Sequence, residues 1–131
     1  MEKNNHAEKM QSKKFSFRKR LTSFRYAFNG LKMLIKEEHN ARIHLFAAIC
    51  VVVAGIIFRI STFEWIIIIA CIGWVFVTEL INSAIENMAD LISKEKSEAI
   101  KKIKDLSAGA ALVAAIASAA IGLIVFLPKV L

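Results

Sequence analysis

Three long apolar runs, each bounded by charged or polar residues, dominate the chain after residue 42. They cover residues 43–60, 63–90 and 106–127. These runs are too long for strands, and a helix needs about 20 apolar residues to cross a bilayer. The pattern therefore predicts an all-α membrane protein with three transmembrane helices.

A narrower apolar stripe precedes the first span. Between residues 15 and 38, apolar side chains recur every three or four positions, namely Phe17, Leu21, Phe24, Phe28, Leu31 and Ile35. Basic residues lie off this stripe, which is typical of an amphipathic helix in the membrane interface. Residues 1–14 are predicted to form a flexible basic tail, so the membrane-embedded domain is assigned to residues 15–131.

Composition supports a bilayer-embedded chain of one domain. Of 131 residues, 56% are hydrophobic, and there are five glycines and one proline. The mean hydropathy is +0.53. A soluble domain of this length could not bury so much apolar surface.

The basic residues predict the orientation of the spans. Eleven of the 18 Lys and Arg residues lie at or before Arg42, and five lie between the second and third spans. The positive-inside rule then places the N-terminus and the 91–105 loop in the cytoplasm. The net charge of +7 is expected to face anionic headgroups. Nucleic-acid binding is not predicted, because no aromatic-basic RNA module or zinc-ligand spacing accompanies the charge.

The sequence ELINSAIENMAD, residues 79–90, interrupts the apolar pattern of the second span. At about 100° per residue, five of its polar side chains share one helix face. They are Glu79, Asn82, Ser83, Glu86 and Asp90, called the polar stripe below. A charged residue at the bilayer centre costs about 2.5–3.5 kcal/mol on insertion scales. Hydrogen bonding between helices would explain the amide and hydroxyl but not the carboxylates, so the stripe predicts a working site in a hydrated cavity.

Two acids at different depths indicate two roles. Glu79 and Glu86 lie about 10 Å apart along the helix axis. We expect Glu86 to bind a metal ion together with Glu37 or Glu38, and the deeper Glu79 to take a proton from a substrate held in the membrane. Two carboxylates suit Mg²⁺, which is usually held by one or two carboxylates plus substrate phosphates. The site is therefore predicted to act on a nucleotide, although none of the glycines begins a P-loop.

The loop after the polar stripe is rich in Lys and ends in Lys104 and Asp105. These residues would neutralise and orient phosphate, but a simple topology signal explains the Lys content equally well. Small residues then recur every four positions in the third span, at Ala110, Ala114, Ser118 and Gly122. This stripe predicts close helix approach, with a second copy of the chain completing the cavity.

Two other classes of function stay open on the residues alone. The first is a small proton- or ion-coupled carrier that uses Glu79. Clustering of charged residues near the cytoplasmic side and the lack of an inverted repeat weigh against it. The second is a non-catalytic membrane subunit in which the polar stripe only orders assembly.

The motif ELINSAIE followed by Asp90, with KDLSAGA downstream and EEHNARIH upstream, resembles the prokaryotic diacylglycerol kinase family. These small integral-membrane lipid kinases include the undecaprenol kinases, and the resemblance covers about residues 17–127. It implies an interfacial helix plus three transmembrane helices, assembled as a homotrimer in the bacterial cytoplasmic membrane with the N-terminus inside. The implied reaction transfers the γ-phosphate of ATP, with Mg²⁺, to a membrane lipid alcohol.

The resemblance also implies roles for single residues. Glu79 would be the catalytic base, and Glu38 and Glu86 the metal-binding pair. The implied ATP site comprises Lys19 (or Arg18), Tyr26, Glu38, Asn82, Glu86, Glu95, Lys104 and Asp105. The implied lipid site comprises Arg42, His44, Glu79 and Ala108. His44 replaces an acid and Ala108 a serine of the diacylglycerol-specific members, which favours undecaprenol over diacylglycerol as the substrate.

Overall fold

The computed structural model describes residues 2–95 and 97–131, and these residues form α-helices joined by short connections. The helices are α1 (Glu2–Glu37), α2 (His39–Ile57), α3 (Thr62–Ile92) and α4 (Glu98–Val130). No strand occurs among the described residues. Three helices, α2, α3 and α4, are long and apolar enough to cross a membrane. The predicted all-helical fold with three spans is confirmed.

The chain divides into two compact units, Met1–Met33 and Leu34–Leu131. The first unit is helical from Glu2 onward, so part of the predicted tail has helical backbone. The domain boundary at residue 15 stays a prediction. Along α1, Phe17, Leu21 and Phe24 are exposed. The location of this stripe in the membrane interface is likewise a prediction.

In the second unit, α3 packs against α4 and α2 packs against α3. Small side chains make the α3–α4 approach close, since Ala111 and Ala114 of α4 are buried. Ser118 continues this face and donates a hydrogen bond from Oγ to the Cys71 carbonyl at 3.4 Å. Ala110, predicted to belong to the same stripe, is exposed. The packed face therefore advances by alternating steps of three and four residues, as the 3.6-residue helical repeat requires.

The apolar core of the second unit lies at the end away from the polar stripe. Ile60, Ile68 and Val125 are buried there, with Trp65 and Phe126 packed against them. Most other large apolar side chains of α2, α3 and α4 are exposed in the single chain. Such surfaces are expected to face lipid or another membrane helix. Within this unit, apolar packing and polar chemistry thus occupy opposite ends of α3.

Gly55 of α2 lies where no larger residue fits. A Cβ at this position would approach Cη2 of Trp65 to 2.7 Å and Cζ2 to 2.9 Å, whereas a Cβ at Gly73 of α3 meets nothing within 4 Å. We expect Gly55→Ala to lower the free energy of unfolding by about 1–3 kcal/mol through overpacking. Gly73→Ala, the control, should raise it by about 0.5–1 kcal/mol. Thermal unfolding in detergent, followed by circular dichroism, compares the two. Equal unfolding midpoints in the two variants would mean that the Trp65 ring moves aside without destabilising the protein.

Candidate active site

Polar side chains of α2, α4 and the α1–α2 junction meet the polar stripe of α3. The pairs are His44 with Glu79, Ser107 with Asn82, Glu38 with Ser83, and Lys104 with Asp90. Four of the five stripe residues therefore have a polar partner in another segment, and the predicted hydrated cavity stays a prediction. Each pair joins α3 to another segment, so the packing of the second unit fixes the positions of the stripe residues.

Glu79 is the buried acid of this site. Its residue surface is 5% exposed. Nε2 of His44 lies 3.2 Å from Oε1 of Glu79. Each residue lies where the apolar part of its helix, α2 or α3, adjoins the polar part. A carboxylate with one polar partner in such surroundings has a free oxygen with which to accept a proton from a neighbouring hydroxyl.

Glu38 owes its position to a break in the helix. It is the single residue between α1 and α2, and its backbone is extended, with φ −101° and ψ 117°. Its side chain makes no capping hydrogen bond. Instead, Oε1 accepts a hydrogen bond from Oγ of Ser83 at 3.3 Å. Ser83 precedes Glu86 by three positions on α3, and side chains at this spacing are neighbours. The structure thus directs Glu38 to the part of α3 that carries Glu86.

These two acids suit a hard divalent cation. Among the described residues, no group of three or more His, Cys, Asp and Glu side chains is placed to hold a metal ion. Mg²⁺ does not require such a cage, because it keeps several waters and binds one or two carboxylates together with substrate phosphates. The oxygen donors of Glu38 and Glu86 fit this mode of binding.

The first turns of α4 supply the basic group of the site. Nζ of Lys104 lies 2.5 Å from Oδ1 of Asp90, and Lys104 also interacts electrostatically with Glu86. Asp105 has a different partner, because its Oδ2 lies 2.6 Å from Nζ of Lys101. Consecutive helical residues project about 100° apart, which explains why Lys104 and Asp105 have different partners here, and the role predicted for the pair stays a prediction.

The remaining predicted residues lie outside these contacts. Arg42 and Ala108 are exposed on α2 and α4, and Glu95 is exposed between α3 and α4. Lys19 and Tyr26 belong to α1 in the first unit and are also exposed. The roles assigned to these residues stay predictions.

Two hydroxyl groups received no specific role from the sequence, although Ser83 was already counted in the polar stripe. Ser83 holds Glu38, and Ser107, which is buried, donates a hydrogen bond from Oγ to Oδ1 of Asn82 at 2.8 Å. The signal for Ser83 was its place on the polar stripe. For Ser107 it was a hydroxyl at the start of an apolar, Ala-rich span whose other hydroxyl is that of Ser118.

An apolar groove runs along α2, α3 and α4 from His44, the partner of Glu79, toward the apolar core. Its volume is about 720 Å³. His44, Val51, Ile72, Val75, Ala115 and Phe126 are among its lining residues. Along α4, from Ala115 to Phe126, the groove is about 16 Å long at 1.5 Å per residue. Ser118 also lines it but donates its hydroxyl to the Cys71 carbonyl. His44 therefore supplies the polar end of the groove, beside Glu79.

Comparison with known proteins matches this chain to one family. Residues 25–126 match the family model described as prokaryotic diacylglycerol kinase. The matched segment includes α2, α3 and all the paired residues of the polar stripe. Among individual proteins, the chain is similar to undecaprenol kinase of Bacillus subtilis, with 41% identity over 107 residues. That similarity covers 82% of this chain and 87% of the relative.

Two further relatives carry the name diacylglycerol kinase. The protein of Synechocystis is 34% identical over 112 residues, which covers 85% of this chain and 64% of the relative. The protein of Haemophilus influenzae is 32% identical over 95 residues, covering 72% of this chain and 80% of the relative.

Proposed function

We propose that this chain transfers the γ-phosphate of ATP to the hydroxyl of undecaprenol with Mg²⁺. The chain belongs to the prokaryotic diacylglycerol kinase family and is therefore a lipid kinase. Family membership excludes the carrier and the non-catalytic subunit that the residues alone left open. The observation that carries the proposal is the buried Glu79, whose partner His44 forms the polar end of an apolar groove, with further charged residues along the same helix face.

Glu79 acts as the general base in this proposal. One carboxylate oxygen is paired with His44, and the other accepts the proton of the lipid hydroxyl. The hydroxyl oxygen attacks the γ-phosphorus, the bond from this phosphorus to the β,γ-bridging oxygen breaks, and ADP leaves. The apolar groove takes the hydrocarbon part of the lipid, because its lining contacts apolar chains without leaving polar groups unpaired. The hydroxyl is thereby held at the end of the groove where the base lies.

The phosphate donor binds at the other end of the polar stripe. Phosphoryl transfer requires mainly positioning and charge neutralisation from the protein. Glu38 and Glu86 would hold Mg²⁺, which neutralises charge on the phosphate oxygens when bound. Lys104 adds a positive charge and forms an ion pair with Asp90 in the free protein. We expect phosphate to compete with Asp90 for Lys104, and Asn82, fixed by Ser107, to offer its amide N–H groups to the nucleotide.

Two observations favour undecaprenol over diacylglycerol. The curated relative with 41% identity is named undecaprenol kinase. In addition, position 44 is His, and its side chain lies at the polar end of the groove, where it would contact the substrate headgroup. A neutral alcohol without a glycerol backbone needs few polar contacts at this point, and an imidazole beside a carboxylate supplies them.

The proposed setting is a bacterial cytoplasmic membrane, with the N-terminus and the 91–105 loop inside. The distribution of Lys and Arg supports this orientation, and it places Glu38, Glu86 and Lys104 on the side where ATP is available. A homotrimer remains part of the proposal. It is supported by the exposed apolar surfaces of α2, α3 and α4, which a neighbouring chain would cover in part.

The proposal predicts which lipid becomes labelled. Purified protein in mixed micelles with labelled ATP and Mg²⁺ should transfer label to undecaprenol faster than to diacylglycerol, when the two lipids are offered separately. Faster labelling of diacylglycerol than of undecaprenol would change the assigned substrate but would still show lipid kinase activity. Absence of label from both lipids, in protein that stays folded, would refute the proposed reaction.

A further inference from the structure

We propose that His44 is the positioning residue for Glu79. This inference rests on the proposed function, because it assigns a task within the transfer of phosphate to a lipid alcohol. The imidazole would donate its Nε2–H to Oε1 of Glu79 and so turn the second carboxylate oxygen toward the lipid hydroxyl. His44 itself neither takes the proton nor binds phosphate.

The geometry carries the donor assignment. Nε2 and Oε1 lie 3.2 Å apart as an ion pair, at the upper end of the distance range in which an aligned N–H donates a hydrogen bond. An ionised carboxylate can only accept, so Nε2 must carry the hydrogen whenever Glu79 is ionised and ready to act as a base. Among the described residues, His44 is the polar side chain paired with Glu79. The orientation of a base that is 5% exposed thus depends on one imidazole.

The location of His44 explains why this orientation matters. The side chain is 24% exposed and borders the apolar groove. A lipid alcohol in the groove would arrive with its hydroxyl beside the His44–Glu79 pair. A carboxylate free to rotate there would spend time with both oxygens away from the hydroxyl. Because the pair joins α2 to α3, this contact also fixes the position of Glu79 relative to the groove.

In the competing interpretation, His44 only lines the lipid site and does not orient Glu79. In that case, substitutions should change the KM for the lipid and leave kcat intact. A positioning role predicts the opposite, since misplacing a catalytic group by about 1 Å can lower the rate about 10²-fold. The two roles therefore separate in the kinetic constants for the lipid.

Three substitutions at one position form the test. The side-chain amide of Gln can place an N–H near the position of Nε2, whereas that of the shorter Asn reaches only the position of Nδ1. Leu keeps the apolar volume and has no donor. We expect kcat to fall about 10–100-fold in His44→Asn and His44→Leu and to be largely restored in His44→Gln. His6→Leu, outside the segment that matches the family, is the control and should match the wild type.

The measurement is initial-rate labelling of undecaprenol over a range of lipid concentrations, with circular dichroism to verify folding. Equal kcat in the wild type and in His44→Asn, with only the KM raised, would overturn the positioning role. An equal loss of kcat in His44→Gln and His44→Asn would overturn it too, because position of the donor would then be irrelevant. If Leu prevents folding, the comparison of Gln with Asn still decides. A folded wild type that labels no lipid alcohol would instead refute the proposed function, and this inference with it.

Discussion

Glu79→Gln is expected to lower kcat for phosphorylation of the lipid about 10²–10⁴-fold, the range over which general base catalysis contributes. The amide has nearly the shape of the carboxylate, and its carbonyl oxygen can still accept a hydrogen bond from the proposed donor, Nε2 of His44, which lies 3.2 Å from Oε1 of Glu79. The α2–α3 contact should therefore survive. What disappears is the oxygen that takes the proton of the lipid hydroxyl, so the loss should lie in kcat.

Binding of the nucleotide separates a catalytic defect from a structural one. Glu79→Gln protein should bind ATP with Mg²⁺ as the wild type does, because the proposed phosphate site lies elsewhere on the polar stripe. Glu98→Gln, at an exposed carboxylate in the first turn of α4, is the matched control and should keep full turnover. Normal turnover in Glu79→Gln would remove Glu79 from the reaction. Loss of ATP binding along with turnover would point to a structural role.

Helical periodicity accounts for most of what the sequence predicts correctly. Apolar runs of sufficient length identify α2, α3 and α4, since the bilayer sets the length of a span. The same repeat places Glu79 and Asp90 on one face of α3, because angular position along a helix depends only on sequence separation. Such inferences are local, and they require no knowledge of neighbouring helices.

Pairing between helices is not local, and the sequence did not reveal it. The contact of His44 with Glu79 depends on how far α2 is shifted along α3, which the packing of many side chains determines. Similarly, Lys104 faces Asp90 while Asp105 turns back to Lys101 within α4. Two residues that are adjacent in a motif project about 100° apart on a helix, so their side chains can contact different partners.

The choice between Glu37 and Glu38 shows what the structure adds to a motif. Residue pattern alone left both acids as partners for Glu86. Glu37 ends α1 and is exposed, whereas Glu38 leaves the helical conformation and accepts a hydrogen bond from Ser83. Since adjacent acids differ in backbone conformation and contact, substitution of each in turn tests the metal site with a natural control.

Glu38→Gln is expected to raise the Mg²⁺ concentration needed for half-maximal activity by about 10–100-fold or more. Loss of an outer-shell partner of a metal typically has an effect of this size, and Glu38 is proposed as a direct ligand. The amide oxygen can still accept from Oγ of Ser83, so the local fold should be retained. Glu37→Gln removes the same charge one residue earlier and should leave the Mg²⁺ dependence unchanged. Both variants are assayed by titrating Mg²⁺ at a fixed, saturating ATP concentration with labelled ATP and undecaprenol.

The comparison has a clear contrary result. Equal shifts in the two variants would mean that general negative charge at the α1–α2 junction attracts the cation, with no directed ligand. A shift in Glu37→Gln alone would transfer the role to Glu37. A shift confined to Glu38→Gln would support a ligand held by the extended backbone at residue 38 and by its contact with Ser83. Metal binding would then depend on a helix break that separates two acids adjacent in the sequence.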